Sequence, residues 1–394
     1  MYILHACFEK GICDFVEKRE EIEKQYPLEQ EMVPYLLHWF EYNARILPWR
    51  EEPQPYYVWI SEIMLQQTRV EAVKAHFERF IRELPDVRAL AEVSEERLLK
   101  LWEGLGYYSR ARNLKKAAQV VMERYGGRLP DTKEELLTLP GIGPYTAGAI
   151  ASIAYGRVAA AVDGNVLRVM MRLRGSFEDI TKDAVKRELA ACLENVMPRE
   201  KPGNFTQALM ELGATVCLPN GKPLCEQCPI MHLCKAFHQG TELMLPVKPQ
   251  KKARSIEWRT ILVFQTPTGF LLHKREAKGL LAGLWELPNL EGRFGYEALE
   301  ELLGMAGVKY RAISHMGPAK HIFSHIEWHM DGYRIELETG WRKEIACLEA
   351  QDGQAAQLVR LVKDSVEAAR EELREVYSVP AAFDAYRSAI EKIN

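Results

Sequence analysis

Four cysteines crowded into eighteen residues, Cys217-x7-Cys225-x2-Cys228-x5-Cys234, constrain this chain more than any other feature. Thiols this close suit a shared ligand rather than a disulfide framework, the more so as Cys7, Cys13, Cys192 and Cys347 lie scattered. Four thiolates at such spacings can surround a cubane iron–sulfur cluster. Structural zinc is the alternative, but zinc ribbons pair their cysteines in two short knuckles, and only Cys225 and Cys228 form one. The loop 217–234 is therefore expected to hold one [4Fe-4S] cluster. It directly follows the helical stretch ALMELGATV.

From Glu31 to about Ala236 apolar residues recur at helical spacing, as in Val70, Val73, Phe77, Phe80, Ile81 and Leu84, which predicts an all-helical half. Leu245 to Arg254 has two prolines and four basic residues and reads as an exposed linker. Beyond it the pattern turns mixed α/β. Trp258 to Gln265 and Phe270 to His273 are strand-like, and Ile326 to Met330 and Tyr333 to Leu337 flank Asp331-Gly332 as an expected hairpin. Helices are expected near Tyr296 to Gly304 and from Ala355 to Tyr377. The expected organisation is an extension over 1–30, a helical domain over 31–245, a basic linker over 246–256 and a second domain over 257–394, which suits a chain of 394 residues.

The net charge of −3 comes entirely from residues 1–30, with 4 basic and 7 acidic residues, so global charge says nothing about nucleic acid. No apolar run reaches the ~18 residues of a membrane span. The first thirty residues lack a basic segment followed by an apolar one, so the expected location is cytoplasmic, and a monomer is the simplest assembly.

Leu139-Pro-Gly-Ile-Gly-Pro-Tyr-Thr-Ala follows an amphipathic stretch and opens an Ala-rich helix running to about Tyr155. Gly141 and Gly143 permit a tight hairpin whose N–H groups can approach a phosphate, with Pro144 in the first helical turn. An ordinary helix–helix turn explains the motif alone equally well; Arg110, Arg112, Lys115 and Lys116 favour DNA. Glu62 interrupts an apolar run, with Val58, Trp59, Leu65 and Gln66 as helical neighbours, so its carboxyl should be desolvated and its pKa raised, as a general acid requires. Asp163 should cap a helix, a position that also keeps a carboxylate ionised to face a developing cation. Gly104-Leu-Gly-Tyr-Tyr-Ser-Arg sets two tyrosines on a Gly-rich turn, able to enter a base stack; Tyr108 is equally open to core packing.

LPWR, WISEIMLQQTRV, LWEGLGYYSRARNL, LPGIGPYTAGAI, VDGNVLRV, the four cysteines, KGLLAGLWELPN and FSH together resemble the adenine DNA glycosylase family of the endonuclease III-like helix-hairpin-helix superfamily, from about residue 31 to the end. The resemblance implies a multidomain fold: an all-α helix-hairpin-helix glycosylase domain with an iron–sulfur cluster loop, then an α/β Nudix-like domain. It implies that Glu62 protonates adenine N7, that Asp163 stabilises the oxocarbenium ion through a retaining course with a transient adduct, and that Asn165 holds that group. Bifunctional relatives carry Lys where this chain has Tyr145, which predicts a monofunctional enzyme with Tyr145 hydrogen-bonding near Asp163.

The likeness lines the flipped-adenine pocket with Arg45, Trp49, Arg50, Leu65, Gln207 and Met210. It puts Gln67, Thr68, Leu105 and Tyr107 at the gap and the opposite base. Phe323, Ser324 and His325 resemble the loop that reads 8-oxoguanine. The implied partner is double-stranded DNA with adenine opposite 8-oxoguanine or guanine. Two departures stand out: the first Cys spacing is seven residues rather than the family's usual six, and Tyr296 and Leu303 replace the Arg and Gly of a Nudix helix, so no nucleotide hydrolysis is expected from Glu297, Glu300 and Glu301. The rivals are a glycosylase for thymine or another mispaired base, a non-catalytic DNA-binding scaffold and an oxidised-nucleotide hydrolase.

Overall fold

The computed structural model describes residues 26–249, 253–346 and 353–392. Most of the N-terminal extension, Cys7, Cys13, Cys347 and the middle of the basic linker lie outside them. The chain divides into two compact units, one of residues up to 92 with 113–250, the other of 93–112 with residues from 251 onward.

The first unit is helical, as its periodicity predicts. Its core gathers Met32 and Leu36 from helix Pro27–Asn43, Val166 and Met170 from Gly164–Arg174, Leu189 from Asp183–Val196, and Phe205 and Leu209 from Pro202–Thr215. Helix Val70–Glu83 turns Val73, Phe77 and Phe80 inward, the stripe expected of a 3.6-residue period. Two of the helices nearest the cavity described below start with proline, Pro55–Leu65 and Pro144–Ala149, where the missing N–H costs nothing. The latter runs on as a π-helical turn over Ile150–Ala154.

The second unit is built on a sheet of β1 (Ser255–Gln265), β2 (Phe270–Lys274), β3 (Trp285–Glu286), β4 (Asn289–Glu291), β5 (Tyr310–Ile322), β6 (Ile326–Leu337) and β7 (Val366–Ala368). Its path is β3-β2-β1-β6-β5, with β4 on β1 and β7 on β2. β1 runs parallel to β6, and the other pairs are antiparallel. Alternation sends Leu262, Phe264 and Tyr333 to the face covered by helices Tyr296–Met305 and Gln354–Lys363, and Ile261, Val263 and Trp328 to the face covered by Asp384–Glu391.

Two expectations are corrected here. Asp331-Gly332 is not a turn: β6 passes straight through it, and a Cβ at Gly332 would meet Tyr386 Cε1 at 2.0 Å, so the glycine admits a ring rather than a bend. The real hairpin is β5–β6, and its turn is Phe323-Ser324-His325, closed by Phe323 N–H donating to Ile326 O at 2.8 Å. The helix expected over 355–377 is interrupted by β7, whose pairing with the buried strand β2 outweighs local helical preference.

Residues 93–112 are bound into the second unit by buried polar contacts. Lys100 Nζ donates to Tyr377 O at 2.9 Å, Ser378 Oγ donates to Leu99 O at 3.1 Å, and Arg112 Nη2 donates to Ala282 O at 2.7 Å. Glu103 takes ion pairs from Lys100 and Arg387. No helix among the described residues is long and apolar enough to cross a membrane.

Candidate active site and cysteine-lined cavity

A cavity of about 790 Å³, its open mouth included, lies in the first unit and is lined by residues of several helices. Helix Pro55–Leu65 brings Glu62 and Leu65, the turn Pro48–Glu51 brings Trp49 and Arg50, and Pro202–Thr215 brings Gln207 and Met210. Arg45, Tyr145, Asp163 and Asn165 complete the predicted set on its wall.

Glu62 is buried and its carboxyl is pushed up to about 7: burial and the charge of Asp163 raise it against the lowering by the Tyr145 hydroxyl and Arg50. Tyr145 donates its hydroxyl to Glu62 Oε2 and lies within the electrostatic reach of Asp163. Asp163 caps helix Gly164–Arg174. Val166 N–H donates to its Oδ1 and Asn165 Nδ2 to its Oδ2, both at 2.7 Å. Burial nevertheless raises its pKa, so the helix terminus lessens the shift without reversing it. Asn165 is itself held by Arg168, whose Nη2 donates to Asn165 Oδ1 at 2.8 Å. Gly213 lets helix Pro202–Thr215 close on this group, since a Cβ there would meet Asn165 Cβ at 2.5 Å.

Sequence reasoning missed Ser61, Ile153 and Glu211, which also line the cavity. Glu211 carried the signal that revealed Glu62, a charge inside an apolar helical run.

The residues expected near the opposite base divide. Gln67 and Tyr107 are exposed and have positive φ, 57° and 46°, a rare backbone state for such side chains. Thr68 lines the cavity, and Leu105 is only 5% exposed, so it packs inward instead of standing at the surface. Within the second unit, Ser324 and His325 are exposed at the hairpin tip, and Phe323 is half-buried against His321 and Trp328.

Arg110 and Arg112, whose charge favoured DNA in the sequence, are engaged within the fold. Arg110 donates to Leu105 O at 2.7 Å and stacks over Trp102, and Arg112 pairs with Glu95 at 2.7 Å. Gly141 has φ +77° and packs against Asn113, where a Cβ would stand 2.6 Å from Asn113 Cβ; a Cβ on Gly143 would meet open space. Glu297, Glu300 and Glu301 lie exposed on helix Tyr296–Met305.

Cys217, Cys225, Cys228 and Cys234 line a second cavity, whose other walls include Val169, Leu212 and Ile230. Arg172 Nη1 donates to Cys217 Sγ at 3.3 Å. Among the described residues no three His, Cys, Asp or Glu side chains converge on the position of a single ion.

The HhH-GPD superfamily base excision DNA repair proteins match residues 60–195, and the NUDIX domain matches residues 260–385. Adenine DNA glycosylase of Rattus norvegicus is 37% identical over 361 residues, covering 77% of this chain and 70% of that protein. Adenine DNA glycosylase of Buchnera aphidicola subsp. Acyrthosiphon pisum is 33% identical over 305 residues, covering 77% of this chain and 85% of that protein. Among solved structures, a thermostable thymine-DNA glycosylase superposes with a TM-score of 0.50 at 30% identity, covering 55% of this chain and 99% of that one.

Proposed function

Because the chain belongs to the adenine DNA glycosylase family, and so is a hydrolase of N-glycosyl bonds, we propose that it removes adenine paired with 8-oxoguanine or guanine, with Glu62 as acid and Asp163 as the stabilising carboxylate. One observation carries the reading: a single cavity holds two carboxyl groups in unlike surroundings. Glu62 is desolvated and titrates near neutrality, so it can carry a proton to adenine N7. Asp163 receives an N–H on each oxygen, the arrangement that favours its charged form and turns it toward a cationic sugar. Tyr145 orients the acid through its hydroxyl, and Asn165 orients the Asp163 carboxylate.

The cavity takes a base swung out of the duplex, with Trp49, Leu65 and Met210 as its apolar wall and Arg45, Arg50 and Gln207 as its polar one. Gly141 and Gly143 offer hairpin N–H groups to a phosphate. Gln67 and Tyr107, with Phe323, Ser324 and His325, contact the opposite base; Ser324 and His325 can donate and accept hydrogen bonds, as recognition of an oxidised purine needs. Leu105 and Thr68 are assigned to the gap that the flipped base leaves and to the opposite base.

The four cysteines would hold a [4Fe-4S] cluster. They share one cavity, Cys217 Sγ receives an Arg172 N–H, and their spacing offers one short knuckle rather than the two of a zinc ribbon. Such a cluster, when bound, would supply cross-linking of the loop 217–234. The chain's double-stranded DNA partner would meet a monomer.

The test is a duplex holding one adenine opposite 8-oxoguanine, with the products divided so that half receives hot alkali. Cleavage at adenine only after alkali is expected, from an enzyme with Tyr145 where bifunctional relatives have lysine. Absence of an abasic site overturns the reading, and strand cleavage without alkali overturns its monofunctional part.

A further inference from the structure

Glu211 is the one carboxylate of the cavity wall that this reaction leaves without a task. Its side chain is fully buried, which for an acid demands compensation. It receives Arg45 Nε at 2.5 Å and Nη2 at 3.1 Å, the Arg45 backbone N–H at 3.2 Å, and Arg50 Nη2 at 2.8 Å. Arg50 closes the ring by donating Nη1 to Arg45 O at 3.1 Å. Two guanidiniums and one main-chain amide from residues 45–50 are thereby fastened to a single carboxylate on helix Pro202–Thr215.

We infer that Glu211 is a positioning residue, which locks Arg45 and Arg50 into the pocket wall and neutralises part of their charge so that Glu62 keeps its proton in their presence. The inference rests on the reading of Glu62 as the acid. The groups that face Glu62 are Arg50 from the turn Pro48–Glu51, Tyr145 from Pro144–Ala149 and Asp163 at the start of Gly164–Arg174. Glu51 is exposed, helix Val70–Glu83 turns only apolar residues inward, and the π-helical turn Ile150–Ala154 carries no titratable side chain. Arg50 is thus the cation that works against the acid, and Glu211 is the anion bonded to it. Burial pushes the Glu211 carboxyl up, but the two arginines outweigh burial and hold it below its ordinary value, so it stays charged while Glu62 titrates.

The experiment is single-turnover excision against pH for wild type, Glu62→Gln, Glu211→Gln, Glu211→Asp and the double variant Glu211→Gln with Arg50→Gln. Glu211→Gln is expected to move the basic limb to lower pH by roughly one unit, the scale on which one nearby charge moves a carboxyl. Glu211→Asp should move it less, and the double variant should return it to the wild-type position or above, whatever its maximal rate. A Glu211→Gln protein that excises adenine with the wild-type limb overturns the inference while leaving Glu62 as the acid. Full activity in Glu62→Gln overturns the underlying reading instead. If Glu211→Gln does not fold, the limbs of Glu211→Asp and of the double variant still decide: a lowered limb in the double variant, with its charges removed in pairs, overturns the inference.

Discussion

The Tyr107 hydroxyl and Ser324 Oγ lie 2.7 Å apart, joining the left-handed turn of 104–110 to the tip of the β5–β6 hairpin across 217 positions of sequence. Both side chains are exposed, so the bond contributes about 1 kcal/mol and is more valuable for direction than for stability. Tyr107→Phe and Ser324→Ala should each reduce the preference for adenine opposite 8-oxoguanine over adenine opposite guanine. The double variant should do no more than the worse single one, as partners in one bond require. Full preference in both single variants, read from single-turnover rates on the two duplexes, would remove this contact from recognition.

Glu62 also makes stability depend on pH. Its folded pKa of about 7 lies above the ordinary value of 4.5, so its contribution is complete below pH 4.5 and is lost as pH rises through 7. Between those limits the wild type should lose up to roughly 3 kcal/mol relative to Glu62→Gln. Denaturant midpoints of the two proteins at pH 5 and pH 8 check this, and an equal change in both contradicts it. The same substitution should slow excision by at least about a hundredfold, the usual share of a general acid.

Tyr145 should act in the opposite sense to Arg50's release. Its hydroxyl stabilises the ionised Glu62, so Tyr145→Phe is expected to raise the carboxyl further and extend activity to higher pH, even where the peak rate falls. A basic limb unmoved or shifted downward counts against the assignment.

The two hairpin glycines should separate fold from binding. Gly141→Ala forces a Cβ onto Asn113 in a backbone state that disfavours side chains, and should cost about 1–3 kcal/mol. Gly143→Ala meets nothing within the protein, so its melting temperature should stay unchanged while duplex affinity falls. Equal affinity for wild type and Gly143→Ala by titration would show that no phosphate comes close there.

Anaerobically purified protein should contain about four irons, and Cys228→Ser should lose both iron and thermal stability, because the apolar cavity among the cysteines then has nothing to surround. Stoichiometric zinc without iron is the contrary result.

What was legible in the sequence was local. An acid inside an apolar helical run found Glu62, an Asp-Gly-Asn ahead of a periodic stretch found the cap at Asp163, and spacing found the cysteines. The family match and the two-part fold, helical then α/β, came out as expected. Partnerships across long sequence separation were not legible: Tyr145 with Glu62, Glu211 with Arg45 and Arg50, Tyr107 with Ser324. Asp331-Gly332 misled because glycine serves two needs, a bend or room for a neighbour, and only the position of Tyr386 distinguishes them.

The placement of 93–112 with the C-terminal half means that the backbone passes between the units three times, after 92, 112 and 250. No single cut therefore divides the chain along this partition. A fragment ending at 250 would carry Lys100 without the Tyr377 carbonyl it bonds, and Glu103 without Arg387. A fragment starting at 251 would present those same groups to water. The boundary suggested by the proline-rich basic stretch is a boundary in composition, whereas the structural partition is discontinuous and assigns 93–112 to the later half.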